Sequence, residues 1–240
     1  MPAFAKILEG LEKLYGKQRP TGPGDPYEMI LFVNCGYPAT DASCTKGYEA
    51  LKREVGTSPE KILATPKAKL AAATKAGGMA PELRADRLKA IAEMVGEEFG
   101  GDLKWSLRRL LEGDRRHAEE GIRLAKKALK EFPVIGEPGA DKILLFAGLA
   151  PVAAVPSACP GVPQRIFFGE ENKNYGAGYR AAREGLEAEL PEEFGARQRA
   201  YLLLKRHGQE ICKRTKPKCE LCPVSKMCAY FRGLRETKQI

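Results

Sequence analysis

Residues 212–228 read CKRTKPKCELCPVSKMC, four of the chain's seven cysteines in a C-x6-C-x2-C-x5-C pattern. Thiolates at this density repel one another unless a cation neutralises them, so in a reducing compartment the pattern indicates a metal site. Zinc takes four sulfurs tetrahedrally, but its sites tend to pair two tight Cys–Cys knuckles, and this stretch has one. An iron–sulfur cube is wider than a single ion and suits unequal loops. Spacing alone leaves zinc and cluster level.

The loop between the first two cysteines carries Lys213, Arg214, Lys216 and Lys218. From Lys205 to Lys238, ten Lys and Arg stand against Glu210, Glu220 and Glu236. Most of the formal net charge of +9 therefore lies around the cysteines. A polyanion is the natural partner for such an excess, with solubility as the plainer use of it. Charged residues make up 30% and hydrophobic residues 43% of the 240, the balance of an ordinary globule with a real core. No apolar run approaches the length of a membrane span. The opening MPAFAKILEGLEKLYG has scattered charges and no cleavage pattern, so it reads as a first helix, and the cytoplasm as the compartment.

Helical periodicity dominates the remainder. Residues 26–35, 41–54, 80–98, 103–112, 114–130, 139–149, 173–189 and 194–211 read as helices, with Leu88, Ile91, Ala92 and Val95 forming one apolar stripe. Caps are expected at Thr40 or Asp41, at Ser58, and at Pro191 before two glutamates. No alternating run persists long enough for a sheet, so the class is all-α. Residues 103–130 hold nine Lys/Arg and four Asp/Glu between apolar positions, which reads as a solvated amphipathic helix pair.

The segment LLLKRHGQEICKRTKPKCELCPVSKMCAY, residues 202–230, resembles the [4Fe-4S] cluster loop that closes the endonuclease III family of DNA glycosylases, including the pair His207 and Gly208 before the first ligand. A second element, FPVIGEPGADKILLFAGL from Phe132, resembles that family's helix–hairpin–helix. PYEMILFVNCGYPATDASCTKGYEAL (residues 26–51), LRADRLKAIAEMV (83–95) and VPSACPGVPQRIFFG (155–169) resemble further family segments. The resemblance implies a [4Fe-4S] cluster on Cys212, Cys219, Cys222 and Cys228, and a basic loop that touches DNA phosphate through Lys213, Arg214, Lys216 and Lys218. It implies phosphate contacts at the hairpin through Val134, Gly136 and Gly139, with Val134 standing where the family has glycine. Glycine lets backbone N–H groups approach phosphate, and the next helix offers its positive end. A Gly/Pro link between helices without DNA contact is the competing reading.

Three family positions depart from the pattern. The Schiff-base lysine falls on Pro138, the aspartate that stabilises the sugar cation on Pro156, and the glutamine that fills the gap of an everted base on Pro38. None of these rings can take a proton or balance a developing positive charge. Asp141 and Lys142, three and four positions beyond Pro138, are the candidate catalytic substitutes, against the reading that they form an ion pair. Glu137 is a further carboxylate at the hairpin, and Ser157 reads as a turn cap. Tyr37 and Trp105 have the chemistry to stack on an extruded base, but burial is the expectation for both. Cys35, Cys44 and Cys159 read as inert buried thiols, with Cys159 the one open to exposure.

The expected architecture is a six-helix domain over 22–147 that ends in the hairpin, and a cluster domain combining 1–21 with 148–240, with bent duplex DNA taken between them. The expected function is a base-excision DNA glycosylase, with or without lyase activity, acting as a monomer on double-stranded DNA that carries a damaged or mismatched base. Its place would be the cytoplasm, at the nucleoid in a bacterium or archaeon, with no membrane partner. A non-catalytic lesion-binding protein and a redox-responsive partner protein are the rival expectations.

Overall fold

A computed structural model describes residues 3–38, 40–112 and 118–237. Among these the secondary structure is helical, with no strand. The α-helices are α1 (Ala3–Tyr15), α2 (Pro26–Asn34), α3 (Asp41–Glu54), α4 (Pro59–Ala64), α5 (Lys67–Thr74), α6 (Pro81–Phe99), α7 (Leu103–Leu111), α8 (Ala118–Glu131), α9 (Glu137–Phe146), α10 (Gly161–Phe168), α11 (Tyr175–Glu189), α12 (Phe194–Glu210) and α13 (Ala229–Thr237). No helix among the described residues is long and apolar enough to cross a membrane.

Local chemistry sets many of the boundaries. Asp25 accepts hydrogen bonds from the Tyr27 and Glu28 amides at 3.0 and 3.2 Å and starts α2 with Pro26 in its first turn. Thr40 accepts from the Ser43 amide and Ser58 from the Lys61 amide, starting α3 and α4. Pro191 does not start α12, which begins at Phe194 behind Glu193. The helix expected over 114–130 is described from Ala118, its first residues lying outside the described ones. The helix expected from 139 begins two residues earlier, because proline is tolerated in a first turn, where its missing N–H has no intrahelical partner. Of the shorter helices, α4 is announced in the sequence only by the cap at Ser58, and α5, α10 and α13 were not read from it.

The chain divides into two compact units, Thr21–Ala150 and Met1–Pro20 joined to Pro151–Ile240. In the first, α6 packs on α4 and α5, and its stripe of Leu88, Ile91, Ala92 and Val95 is fully buried. Helix α8 lies between α7 and α9, and α9 also meets α2. In the second, α1 packs on α12, and α10 on α11, α12 and α13. Its core holds Phe4, Leu8, Leu11, Val155, Tyr179, Leu203, Leu204 and Val224, and Cys212, Cys222 and Cys228 pack against it.

Candidate nucleic-acid interface and thiol pocket

Helices α8 and α9 are joined by Phe132–Gly136, a five-residue hairpin. Phe132 is buried and stacks on Phe99 with ring centroids 5.6 Å apart. The Asn34 amide donates to the Pro133 carbonyl at 3.0 Å and fixes the turn to α2. Val134 follows with φ of +59°, in the left-handed region. A β-branched side chain there is a steric outlier, so the turn keeps a glycine-like step without the glycine. Gly136 is exposed and precedes α9, with no side chain capping the helix. A Cβ on Gly139 would stand 3.3 Å from Ile135, so the missing side chain lets the hairpin close on the first turn of α9. The amides of this turn sit at the positive end of the helix, an arrangement that receives anions.

Behind the hairpin lies a charge lock that reading the sequence did not find. Lys126 of α8 is buried, and its ammonium meets the Asp141 carboxylate at 2.8 Å and pairs with Glu137 as well. Lys130 reaches the same Glu137 at 3.0 Å. Burial by itself would raise Glu137, but the two lysines outweigh it and hold the carboxyl below its usual range. Asp141 is wholly buried, so its carboxylate meets a substrate only if this pair opens. Lys142, the neighbouring candidate, is half-buried. Lys126 lay among the nine cations of 103–130, and nothing in that run sets it apart except that the packing of α8 on α9 brings it to Asp141.

Pro156 is buried, and its carbonyl accepts from the Cys159 amide at 3.0 Å in a turn that leads into α10. Ser157 is exposed, and its carbonyl, 3.3 Å away, accepts from the Tyr175 hydroxyl. Tyr37 and Trp105 are not buried as expected. They are 47% and 55% exposed, because Tyr37 sits in the turn after α2, and Trp105 lies on the outer face of α7 under the Arg109 guanidinium. Cys35 and Cys44 are buried, and burial pushes the Cys35 thiol up to about 12. Cys159 is half-buried and also pushed up to about 12 by burial. A Cβ on Gly208 would fall 2.5 Å from the Cys159 Cβ, so α12 needs glycine beside His207 to approach this turn.

Cys212, Cys219, Cys222 and Cys228 line one small pocket with Ile166, His207, Ile211, Val224 and Phe231. All four are free thiols. Burial raises Cys212 and Cys219 and pushes Cys222 up to about 11, and neighbouring cysteines of the quartet add to each. Arg165 opposes the rise at Cys212 and Cys219. At Cys212, Cys219 and Cys222 the pocket therefore favours the protonated sulfur until a cation compensates it. His207 stands 3.6 Å from the Cys222 sulfur and 3.0 Å from the Tyr15 hydroxyl, and burial lowers its imidazole to about 4. Among the described residues no three Cys, His, Asp or Glu side chains are gathered as a site for one metal ion.

The loop from Cys212 to Cys219 is closed at its base by the Lys218 amide donating to the Ile211 carbonyl at 3.0 Å. Lys213, Arg214, Lys216 and Lys218 lie along it, and Lys216 adopts a left-handed φ of +53°. All four are exposed. The structure thus puts the thiols inward and these cations outward on one short segment. It places the hairpin residues Val134, Gly136 and Gly139 in the other unit.

A helical bundle that ends in a tight hairpin, followed by a unit that carries a cysteine-bound basic loop, has the architecture of a helix–hairpin–helix DNA-repair protein. The chain is 30% identical to the thymine/uracil-DNA glycosylase of Methanothermobacter thermautotrophicus over 174 residues, 72% of this chain and 67% of that protein. It belongs to the helix–hairpin–helix DNA glycosylases. A solved thermostable thymine-DNA glycosylase superposes with a TM-score of 0.72 at 25% identity, covering 96% of this chain and 97% of that one. The structure of a non-covalent endonuclease III–DNA complex shares the fold, with a TM-score of 0.70 at 18% identity and 97% of each chain covered. No family model matches the chain.

Proposed function

We propose that this protein is a base-excision DNA glycosylase that binds duplex DNA and releases a damaged or mismatched base. The observation that carries the reading is the hairpin, whose left-handed step at Val134 brings Gly136 and the amino end of α9 to an exposed turn. In this reading the turn holds phosphate through backbone amides, and Lys213, Arg214, Lys216 and Lys218 are phosphate contacts in their own right. The relatives' names support DNA as the partner, a glycosidic bond to a base as the bond cut, and thymine and uracil as the first bases to test.

Cys212, Cys219, Cys222 and Cys228 would hold a [4Fe-4S] cluster. Four thiols lining one pocket supply the donor set, and the resemblance of residues 202–230 to the family's cluster loop favours a cluster over a single zinc. Bound there, the cluster would neutralise thiolates that the pocket otherwise disfavours.

Pro138 offers no amine to attack the sugar. Lys142, half-buried one turn further along α9, is the amine that this reading leaves, while Asp141 is held by Lys126. The test is a panel of duplexes with mismatched and modified bases, scoring base release and strand nicking separately, with borohydride trapping before and after Lys142→Ala. Release of a base from at least one duplex is expected, and a trapped adduct that vanishes with Lys142→Ala identifies that amine. Binding without release on every duplex would favour the second reading, a lesion-binding protein without turnover. The burial of Pro156 where the family carries its aspartate is what speaks for that alternative.

A further inference from the structure

Arg165 of α10 is a buried cation that faces the loop instead of solvent. Its Nη1 donates to the Lys213 carbonyl at 2.8 Å and lies 3.5 Å from the Cys212 sulfur. Its Nη2 donates to the Arg214 carbonyl at 2.8 Å and pairs with Glu171. The guanidinium also lies over the Tyr230 ring, 5.2 Å from its centroid, and the Cys228 sulfur is 3.4 Å from the Arg165 carbonyl. One planar group thus grips the backbone of the two residues that open the basic loop, and Arg165 as a whole touches the first and last cysteines of the quartet. An ammonium is a point charge and cannot span two carbonyls and a sulfur with one fixed fork.

We propose that Arg165 is a positioning residue that makes the thiol pocket and the basic loop one device, presenting Lys213 and Arg214 to DNA phosphate without itself touching DNA. The inference rests on the reading of that loop as a phosphate grip. Holding the carbonyls of residues 213 and 214 inward leaves their side chains outward, as their exposure shows. The contact with Cys212 sets the same guanidinium against the thiol pocket, so pocket and loop meet at one group.

The test is the salt dependence of duplex binding by the full, metal-loaded protein, compared with Arg165→Lys and with Lys213→Gln/Arg214→Gln. Visible absorbance of the cluster and thermal melting establish that each variant is loaded and folded. Each phosphate that a variant no longer neutralises lowers the slope of log affinity against log salt by about 0.9, so the double variant is expected to lose about 1.8. Arg165→Lys is expected to lose a similar amount, with about tenfold weaker binding at low salt, although the residue is buried. A full slope in Arg165→Lys beside a reduced slope in the double variant overturns the inference alone. A full slope in both means the loop does not hold phosphate, and the reading beneath falls with it. Should Arg165→Lys fail to fold, Glu171→Gln frees one side of the guanidinium. A smaller loss of slope then supports the inference, and an unchanged slope overturns it.

Discussion

At the scale of single residues, Val134 is where sequence and backbone disagree most. The family-like turn has glycine where this chain has valine. The structure gives that valine a φ of +59°, in the left-handed region that glycine favours. Such a residue costs on the order of 1–3 kcal/mol, partly offset in any glycine replacement by the roughly 0.5–1 kcal/mol of backbone entropy that glycine loses on folding. Val134 is only half-buried, so little packing is lost with its side chain. Val134→Gly is therefore expected to stabilise the protein by about 1 kcal/mol, read as a higher urea midpoint at unchanged slope. A lower midpoint would mean that the valine methyls contribute more than the strained backbone costs. That Pro138 and Pro156 carry no amine or carboxylate was legible in the sequence, because it needs no coordinates to recognise. The buried setting of Pro156 was not, since a proline in a loop is usually placed at the surface.

At the scale of elements, periodicity identified the long helices and passed over α4, α5, α10 and α13. Helices α4, α5 and α10, six to eight residues long, hold barely two turns of a 3.6-residue rhythm, and Gly161 and Pro163 break up the pattern in α10. Basic residues misled in a related way. Arg84 donates to the carbonyls of Thr74 and Gly78 at 3.0 and 3.1 Å, Arg197 to those of Pro191 and Pro151, and Arg165 to those of Lys213 and Arg214. Each is a buried fork that fastens a loop, yet in a composition it counts as surface charge. Lys126 does the same between α8 and α9. Removing it leaves the carboxylate of Asp141 buried without this cation, so Lys126→Met is expected to cost about 3–5 kcal/mol by chemical denaturation. Adding Asp141→Leu should recover much of that loss, and failure to recover would show that the pair does more than satisfy itself. The same lock predicts acid sensitivity with a definite sign. Glu137 titrates below its unfolded value, so it stabilises the fold above the ordinary carboxylate pKa, and that contribution disappears as pH falls through its folded pKa. Glu137→Gln should lower stability near neutrality and flatten its decline in acid, as measured by denaturation across that range.

At the scale of the whole molecule, the two units draw on different sources of stability. The unit Thr21–Ala150 closes around apolar helix faces such as Leu88, Ile91 and Val95. The other adds something to its core, since Cys212, Cys222 and Cys228 pack against the cluster of Phe4, Leu8, Val155, Leu203 and Val224. The cysteine pattern was plain in the sequence, but its attachment to a core built from residues 4 to 224 was not, because periodicity reports nothing about neighbours so distant along the chain. With the proposed cluster in place, ligand binding free energy becomes folding free energy for that unit. Cys222→Ala removes a sulfur beside His207, in the pocket that the core residue Val224 also lines. Native-state hydrogen exchange of this variant is expected to show lost protection in α10 and α12 and unchanged protection in α6 and α9. Uniform loss across all four helices would mean that the units do not open independently. Unchanged protection throughout would mean that the thiol pocket adds nothing to folding, and the proposed cluster would have no structural part in this protein.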